Sequence, residues 1–373
     1  MNGIDVTRAA TAAAEHAVSA SAPANQANDD DAGKPSSQSA PTPATRDGLP
    51  RKVVDGIHHS GLLRHFVPEN LGGADGQLAD TLAPLIQLGR ADPSTGWCAS
   101  LMTSAARMAT HLPAAGQRDL WAAGPDVMIA ATLRPAGTAT PVDGGWLLDG
   151  QWLYVSGITH CQWALLSTTS GDEQRFMLVP QKACAIHDTW NAVGMRATGT
   201  HTVLVEQTFV PQSHSFTRQQ LIQGQHTAGR SVPHEAVFGL FFAAPLLGAA
   251  QGMLETWRHL RRTRRGGEHS TSRELGQAVG YLGAAEAMLS HAAHLADTDG
   301  LDDEATLRCR VYHATAADLI AQTTAMLFRT GGTVAVDASH PLSRFWRDIN
   351  TGLMHPALDL PIAAADYARL SQT

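Results

Sequence analysis

The hydrophobic period changes twice along the chain, and those two changes confine the fold more tightly than any motif does. From Leu49, Val53, Val54, Ile57, Leu62 and Leu63 recur at three- and four-residue steps, a helical pattern that breaks at Phe66-Val-Pro-Glu-Asn-Leu-Gly-Gly73. Thr81 to Gly89 predicts a second helix. Asp92-Pro-Ser-Thr95 starts a third, with Pro93 in the first turn and Asp or Ser as its cap, running to about His111. Between Val127 and about Phe209 the period falls to two, with Gly, Pro and Asp at the breaks. Strands are expected at Val127 to Ala131, Trp146 to Val155, Trp163 to Thr168, Arg175 to Val179 and Thr202 to Glu206. After Pro211 the helical period returns, with long helices expected over Val237 to Arg264, Ser272 to Ala296, Asp303 to Phe328 and Leu342 to about Met354.

The fold class that follows is α+β and mainly α: an N-terminal helical domain at 47–124, a middle antiparallel β domain at 125–215, and a C-terminal four-helix bundle at 229–373. Residues 1–46 are expected to be mostly disordered. The Ala-rich start from Val6 to Ala20 is either a helix docked on the body or a tail. Residues 21–46, dominated by Ala, Ser, Pro, Asn, Asp and Gln, read as a linker that cannot offset its ordering entropy by burial.

Composition narrows the partners. With 373 residues, 43% of them hydrophobic, the chain can bury a large core. A net charge of −7 supplies no general basic surface, so no nucleic-acid partner is expected. Cys98, Cys161, Cys184 and Cys309 are widely spaced and form no zinc-type grouping, which suits reduced thiols, a cytoplasmic location and no metal. No apolar run approaches ~18 residues and no basic n-region leads an apolar core, so neither a membrane span nor a signal peptide is expected. There is no G-x-G-x-x-G or Walker loop, hence no nicotinamide site of Rossmann type.

The stretch Gly144 to Gly157 carries the chemistry. As an extended strand it would put Tyr154 and Ser156 on one face and Val155 on the other, a ring to lie against a flat heteroaromatic cofactor and an oxygen to bond its edge. The same pairing also occurs as plain packing on half-buried strands. The small residues Ala99, Ser100, Ser104 and Ala105 predict close approach of the third helix to a neighbour. Arg258, Arg261, Arg262, Arg264 and Arg265 are either phosphate forks or a solvated helix end.

Four segments, in order, carry a resemblance: Arg90 to Trp97, Pro135 to Ala139 leading into Gly144 to Gly157, Trp190 to Thr200, and Pro341 to Asp348. From residue 47 to the end the chain resembles the acyl-CoA dehydrogenase fold. Within it, the likeness is closest to flavin-dependent monooxygenases of the p-hydroxyphenylacetate hydroxylase oxygenase and dibenzothiophene monooxygenase type. The resemblance implies that Tyr154 packs on the isoalloxazine, that Ser156 bonds its N5 and so prolongs a C4a-hydroperoxyflavin, and that Thr132 contacts the flavin edge. It implies that an arginine of the basic run, with Arg265 as the candidate, reaches the flavin phosphate, and that Gly331-Gly332 approaches a neighbouring subunit's flavin. Trp97, Trp190 and Met195 would border the substrate.

A typical dehydrogenase carries a glutamate base shortly after its Arg-Asp; here Pro356 stands in that place after Arg347-Asp348. His355 matches instead the histidine of the monooxygenases, where it would deprotonate a phenol or steady the hydroperoxide. A second histidine that many of these oxygenases carry is missing near Ser104-Ala105, and His111 lies further along. The implied activity is hydroxylation of an aromatic or related small molecule by O2 and reduced FMN or FAD. The flavin would come from a separate reductase, and the subunits would form a homotetramer. The alternative is an acyl-CoA dehydrogenase-like FAD oxidoreductase or an N- or S-oxygenating relative.

Overall fold

A computed structural model describes residues 3–21, 48–223, 232–263, 272–298 and 300–370. The Ala-rich start forms α1, Thr7–Ser21. It is docked: the Asp5 amide donates to the Ser60 carbonyl at 2.8 Å, and Val6, Ala9 and Ala13 are buried in the main core. The linker expected at 21–46 lies, beyond Ser21, outside the described residues. Helix α2 spans only Arg51–His58. Gly61, at φ +83°, turns the chain out of the helix, and Leu62 and Leu63 are buried in the turns that follow.

Next come α3, Ala79–Ala91, and α4, Pro93–Ala109. Their junction is fixed by one carboxylate. Asp92 Oδ2 accepts from the Thr95 amide and the Thr95 hydroxyl, each at 2.8 Å, capping α4. Its other oxygen, Oδ1, accepts from Arg344 at 2.7 Å, far along the chain. A short α5, Ala114–Leu120, which the periodicity does not predict, leads into the sheet.

The strands are β1 Ile129–Ala131, β2 Thr138–Val142, β3 Gly145–Val155, β4 Trp163–Ser170, β5 Glu173–Pro180, β6 Ala185–His187, β7 His201–Pro211 and β8 Ser215–Thr217. They make one sheet in the order β6-β7-β3-β2-β4-β5-β8, with β1 pairing β4. Most neighbours are antiparallel. However, β1 runs parallel to β4, and β2 meets β4 in a single parallel pair, Thr138 with Thr169, so the sheet is mixed at that point. The strands not expected from the sequence, β2, β6 and β8, are three to five residues long, too short to establish a period.

The chain then turns helical through α6 Arg218–Ile222, α7 His234–Val237, α8 Leu240–Thr263, α9 Ser272–Ala296, α10 Asp303–Thr330, α11 Pro341–Leu353 and α12 Leu360–Leu370. The helix expected from Val237 begins at Leu240, after the single turn of α7, and at Gly239 between them a Cβ would come 2.7 Å from the His313 ring. The stretch His234–Thr263 is long and apolar enough to cross a membrane by those two measures, contrary to expectation, but 89% of its most apolar window is buried inside the fold. It is the core helix against which α3, α4 and α11 pack. The fit is tight at Gly89, where a Cβ would stand 2.0 Å from the Pro245 carbonyl oxygen.

Asp92 thus fastens the first helical layer to the last. Asp92→Ala should remove a helix cap and strand the Arg344 guanidinium, lowering unfolding free energy on the order of 3 kcal/mol. A urea midpoint within error of the parent's would show that the residue carries no such role.

Candidate active site

A cavity of about 1400 Å³ lies where α4, the end of β3, the loop 190–200, the start of the bundle and the end of α11 meet. That exceeds the ~300–1,000 Å³ usual for one small ligand, leaving room for a large planar group and a second molecule beside it.

Tyr154 and Ser156 both line it, but not by simple alternation. Trp152 pairs with Val203 and Val155 with His201, so Leu153 and Tyr154 together face the single residue between, a β-bulge. Tyr154 sits at φ +62°, a left-handed conformation costing a non-glycine residue ~1–2 kcal/mol. The bulge throws its ring outward, 67% exposed, while Val155 stays fully buried. The Trp190 ring meets it edge-on at 6.3 Å.

Ser156 ends a directed chain of hydroxyls. Thr198 donates to the Met195 carbonyl at 2.8 Å, so its oxygen must accept from Thr200 across the 2.7 Å contact between them. Thr200 has no further proton to give, and its 2.9 Å contact with Ser156 is therefore made by the Ser156 proton. The Trp97 indole N–H also donates to Ser156, at 3.4 Å. Ser156 thus turns a lone pair, not a proton, toward the cavity.

The loop bearing Met195 is clamped to α11. Its amide donates to Asp348 Oδ1 at 2.6 Å, and the Trp190 indole donates to its carbonyl at 2.8 Å. At Gly194 a Cβ would stand 2.2 Å from the Arg347 carbonyl oxygen, so only glycine permits the approach. Burial raises the Asp348 carboxyl to about 6, against the opposing pull of Arg344.

His355 caps the turn after α11. The Ala357 amide donates to its Nδ1 at 3.2 Å, which leaves the neutral ring's proton on Nε2. The ring stacks on Phe242 at 3.7 Å and meets Phe238 at 5.9 Å and Trp97 at 6.2 Å. Burial among these rings lowers its pKa to about 4. In its neutral form His355 can donate an N–H from Nε2 to a ligand.

The remaining expected residues divide. Thr132 lines the cavity, and since its oxygen accepts from the Ser167 amide at 3.2 Å, its own proton is available to a ligand edge. Trp97, Trp190 and Met195 line it too. Arg265 lies outside the described residues. Gly331 and Gly332 do not line the cavity; they end α10, with Gly332 at φ +67°. Arg261 of the basic run reaches the Thr330 carbonyl at 3.4 Å, next to the diglycine, and is not in the cavity lining either. His111 packs on Phe216 at 5.5 Å and is not in the lining. Among the described residues no group of three or more His, Cys, Asp or Glu could hold a metal.

Among the lining residues that escaped the sequence reading are two histidines, His234 on α7 and His313 on α10. A fully polar residue four positions after Cys309 and three before Ala316, on a buried helix face, was the available signal for His313. His234 had none, since α7 is a single turn. A planar heteroaromatic ring fits the Tyr154 wall: it meets a ring edge to lie beside, an acceptor at Ser156 and a donor at Thr132.

Comparison with known proteins agrees with this architecture. A family profile described as Acyl-CoA dehydrogenase, C-terminal domain, matches residues 240–360. The chain is 27% identical over 347 residues to the FADH2-dependent resorcinol hydroxylase oxygenase component of Rhizobium sp. strain MTP-10005, covering 83% of this chain and 85% of the relative. Among solved structures, 3-HSA hydroxylase from Rhodococcus sp. RHA1 superposes with a TM-score of 0.82 at 26% identity, covering 87% of this chain and 90% of its own. XiaF from Streptomyces sp., in complex with FADH2 and glycerol, gives 0.81 at 27% identity, covering 86% and 88%.

The Asp348 clamp makes a pH prediction. Its folded pKa of about 6 exceeds the ordinary 3.8, so the folded state binds the proton more readily. Stability from this group is greatest below pH ~4 and falls as pH rises to ~6, by about 3 kcal/mol in all. Asp348→Asn keeps an oxygen for the Met195 amide and should flatten that decline in melting temperature. A slope as steep as the parent's would assign it to other groups.

Proposed function

We propose, from the premise that this chain is the oxygenase component of a flavin-dependent monooxygenase with the acyl-CoA dehydrogenase fold, that it hydroxylates a phenol-type aromatic. The reduced flavin is FADH2, supplied by a separate reductase. The observation that carries this reading is the meeting, in one aromatic-walled cavity, of an acceptor-only Ser156 oxygen and a donor-only His355 Nε2–H. FADH2 over FMNH2 is favoured by the resorcinol hydroxylase, whose name specifies it, and by XiaF, whose solved structure is a complex with it.

Bound reduced flavin supplies the two electrons that split O2, one atom entering the ring as hydroxyl and the other leaving as water. The protein's role is to hold, orient and keep dry. Tyr154 and Thr132 would flank the flavin ring. The polarised Ser156 oxygen would accept an N–H from the flavin edge and resist its loss. His355 donates to the phenolic oxygen and, being neutral, places the substrate without competing for its proton. Phe238, Phe242 and Trp97 exclude water around that contact. Beyond the cavity, Arg261 and the diglycine at the end of α10 are proposed to meet the flavin of a neighbouring subunit in a homotetramer.

The dehydrogenase reading needs a carboxylate base in the cavity. Among the described residues Glu235 alone lines it as a carboxylate, and Arg310 holds that group at 3.5 Å. It stands beside His234 rather than Tyr154. Monooxygenation is therefore preferred.

The test is to mix the protein with FADH2 and oxygenated buffer in the presence of phenols, and to measure hydroxylated product against hydrogen peroxide. Product formation that needs both flavin and O2 is expected; oxidation of an acyl-CoA with no product from phenols would overturn the reading. Thr200→Val leaves the Ser156 proton without its acceptor, and peroxide released per flavin should rise several-fold. His355→Ala should slow hydroxylation about 100-fold, while His355→Gln, which keeps a donor, recovers some of the loss. Equal rates for Ala and Gln would discard the donor role.

A further inference from the structure

The cavity is long as well as large. Trp97, Leu101, Ser104, Ala105 and Met108 all line it, at the three- and four-residue steps of one helix face, and the rise along α4 from the first to the last is about 16 Å. One end is the site already described, where Trp97 donates to Ser156 and meets His355. At the other, Met108 shares an apolar cluster with Phe176 and Leu221, and Leu133 packs against it. Two cations stand at that far end. Gln174 Nε2 donates to the Leu133 carbonyl at 3.2 Å, which sets Arg134 beside it. Gln174 also lies one residue beyond the last β5–β8 pair, Arg175 with Thr217, which sets Arg218 on its other side. All three line the cavity.

We propose that Arg134 and Arg218 bind the anionic end of an elongated substrate, an aromatic ring held at His355 that carries a tail tipped by a carboxylate or phosphate. This rests on the hydroxylase reading above and names a substrate class within it. The lining holds four arginines against one glutamate, in a chain whose acidic residues outnumber its basic ones by 34 to 27. Arg310 is tied to Glu235 and Asp366, and Arg347 to Ser343 and the Ala338 carbonyl. Among the described residues the Arg134 and Arg218 guanidinium groups have no hydrogen-bond or ion-pair partner, and Glu173, the neighbouring acid on β5, is taken by Arg175. The Arg218 charge is nonetheless felt inside the fold: after burial and Arg107, it is the third influence that lowers the buried His234 to about 3. Unpaired guanidinium forks beside a concave, low-dielectric surface attract anionic oxygens and bond them in pairs. A plain phenol at His355 would leave both unused. Between the two ends Ser104 and Ala105 are too small to close the space, and Met108, Phe176 and Leu221 wall it with apolar surface, which suits an uncharged tail. The flavin phosphate is the rival anion, and the test separates the two.

The experiment compares kcat/KM for phenol and for phenols bearing a short tail or one of about ten carbons, which at ~1.5 Å per C–C bond covers most of the cavity's length. Each tail ends in a carboxylate, a phosphate monoester or, as the neutral control, a primary amide. The enzymes are the parent, Arg134→Gln, Arg218→Gln and the double variant at saturating FADH2, with FADH2 affinity measured for each. The parent should favour a long anionic substrate over the long amide by about tenfold or more, and the short pair should differ little. Whichever anion gives the larger ratio identifies the group at the tip. Each single variant should lose part of that ratio and the double variant nearly all of it, with FADH2 affinity within about twofold of the parent's. Equal turnover of long anions and long amide in the parent, a ratio that survives in the double variant, or weaker FADH2 binding with the ratio intact would each overturn the assignment, the last by giving the arginines to the flavin phosphate. In those cases hydroxylation of phenol would still stand. Failure to hydroxylate phenol and every tailed substrate would sink the functional reading and this proposal together.

Discussion

A single buried carboxylate, Asp348, sets the geometry on which the rest of the site depends. It takes the Met195 amide across the boundary between the sheet's long loop and the bundle, and so fixes the Met195 carbonyl that accepts from both Trp190 and Thr198. Every proton position in the hydroxyl chain up to Ser156 follows from where that carbonyl points. Ionising an acid in a dry interior costs free energy; burial raises the Asp348 pKa, and the hydrogen bond from the Met195 amide opposes that rise. The cavity wall is therefore held by a contact that offsets part of the cost of burying its acceptor. A layer away, Asp92 complements it, joining α4, which supplies Trp97, to α11 through Arg344.

Because both clamps converge on α11, the two faces of the cavity are positioned by the same helix. The loop wall, with Tyr154 and Trp190, and the bundle wall, with His355 stacked on Phe242, cannot shift independently of it. That rigidity explains how a weakly polar arrangement can be directional. Neither Ser156 nor His355 is ionised, and neither is set in its role by charge. Each has its lone pair or proton aimed by a backbone group, the Met195 carbonyl in one case and the Ala357 amide in the other. In a low-dielectric pocket such fixed dipoles act more strongly than they would in water.

Much of the architecture was legible in the sequence, because hydrophobic period reports burial directly. The ends of α9 match the pattern, α10 runs two residues past it and α4 stops short. What was not legible depends on contacts between distant segments. The short strands β2, β6 and β8 exist because a neighbour pairs them. Position 239, between α7 and α8, must be glycine because His313 occupies the space a side chain there would need. The site shows the same division. Tyr154, Ser156 and His355, named from local wording, all line the cavity, yet the strand alternation invoked for the first two fails at the bulge. The carboxylate that accepts from Met195, the Thr200 relay and the tautomer of His355 are long-range or backbone facts that no single segment encodes. His234 and His313 were missed for a related reason, since a histidine on a helix carries no mark of whether its nitrogens are satisfied.

The distribution of unfavourable features gives a final reason to read this cavity as the working centre of the molecule. Tyr154 and Met195 are two of only four non-glycine residues at positive φ among those described, and both line it. The desolvated carboxylate of Asp348 stands directly behind the same wall. A non-glycine residue in the left-handed region persists only where its surroundings over-determine it, and for Met195 the Asp348 hydrogen bond and the close approach of Gly194 to Arg347 supply that constraint.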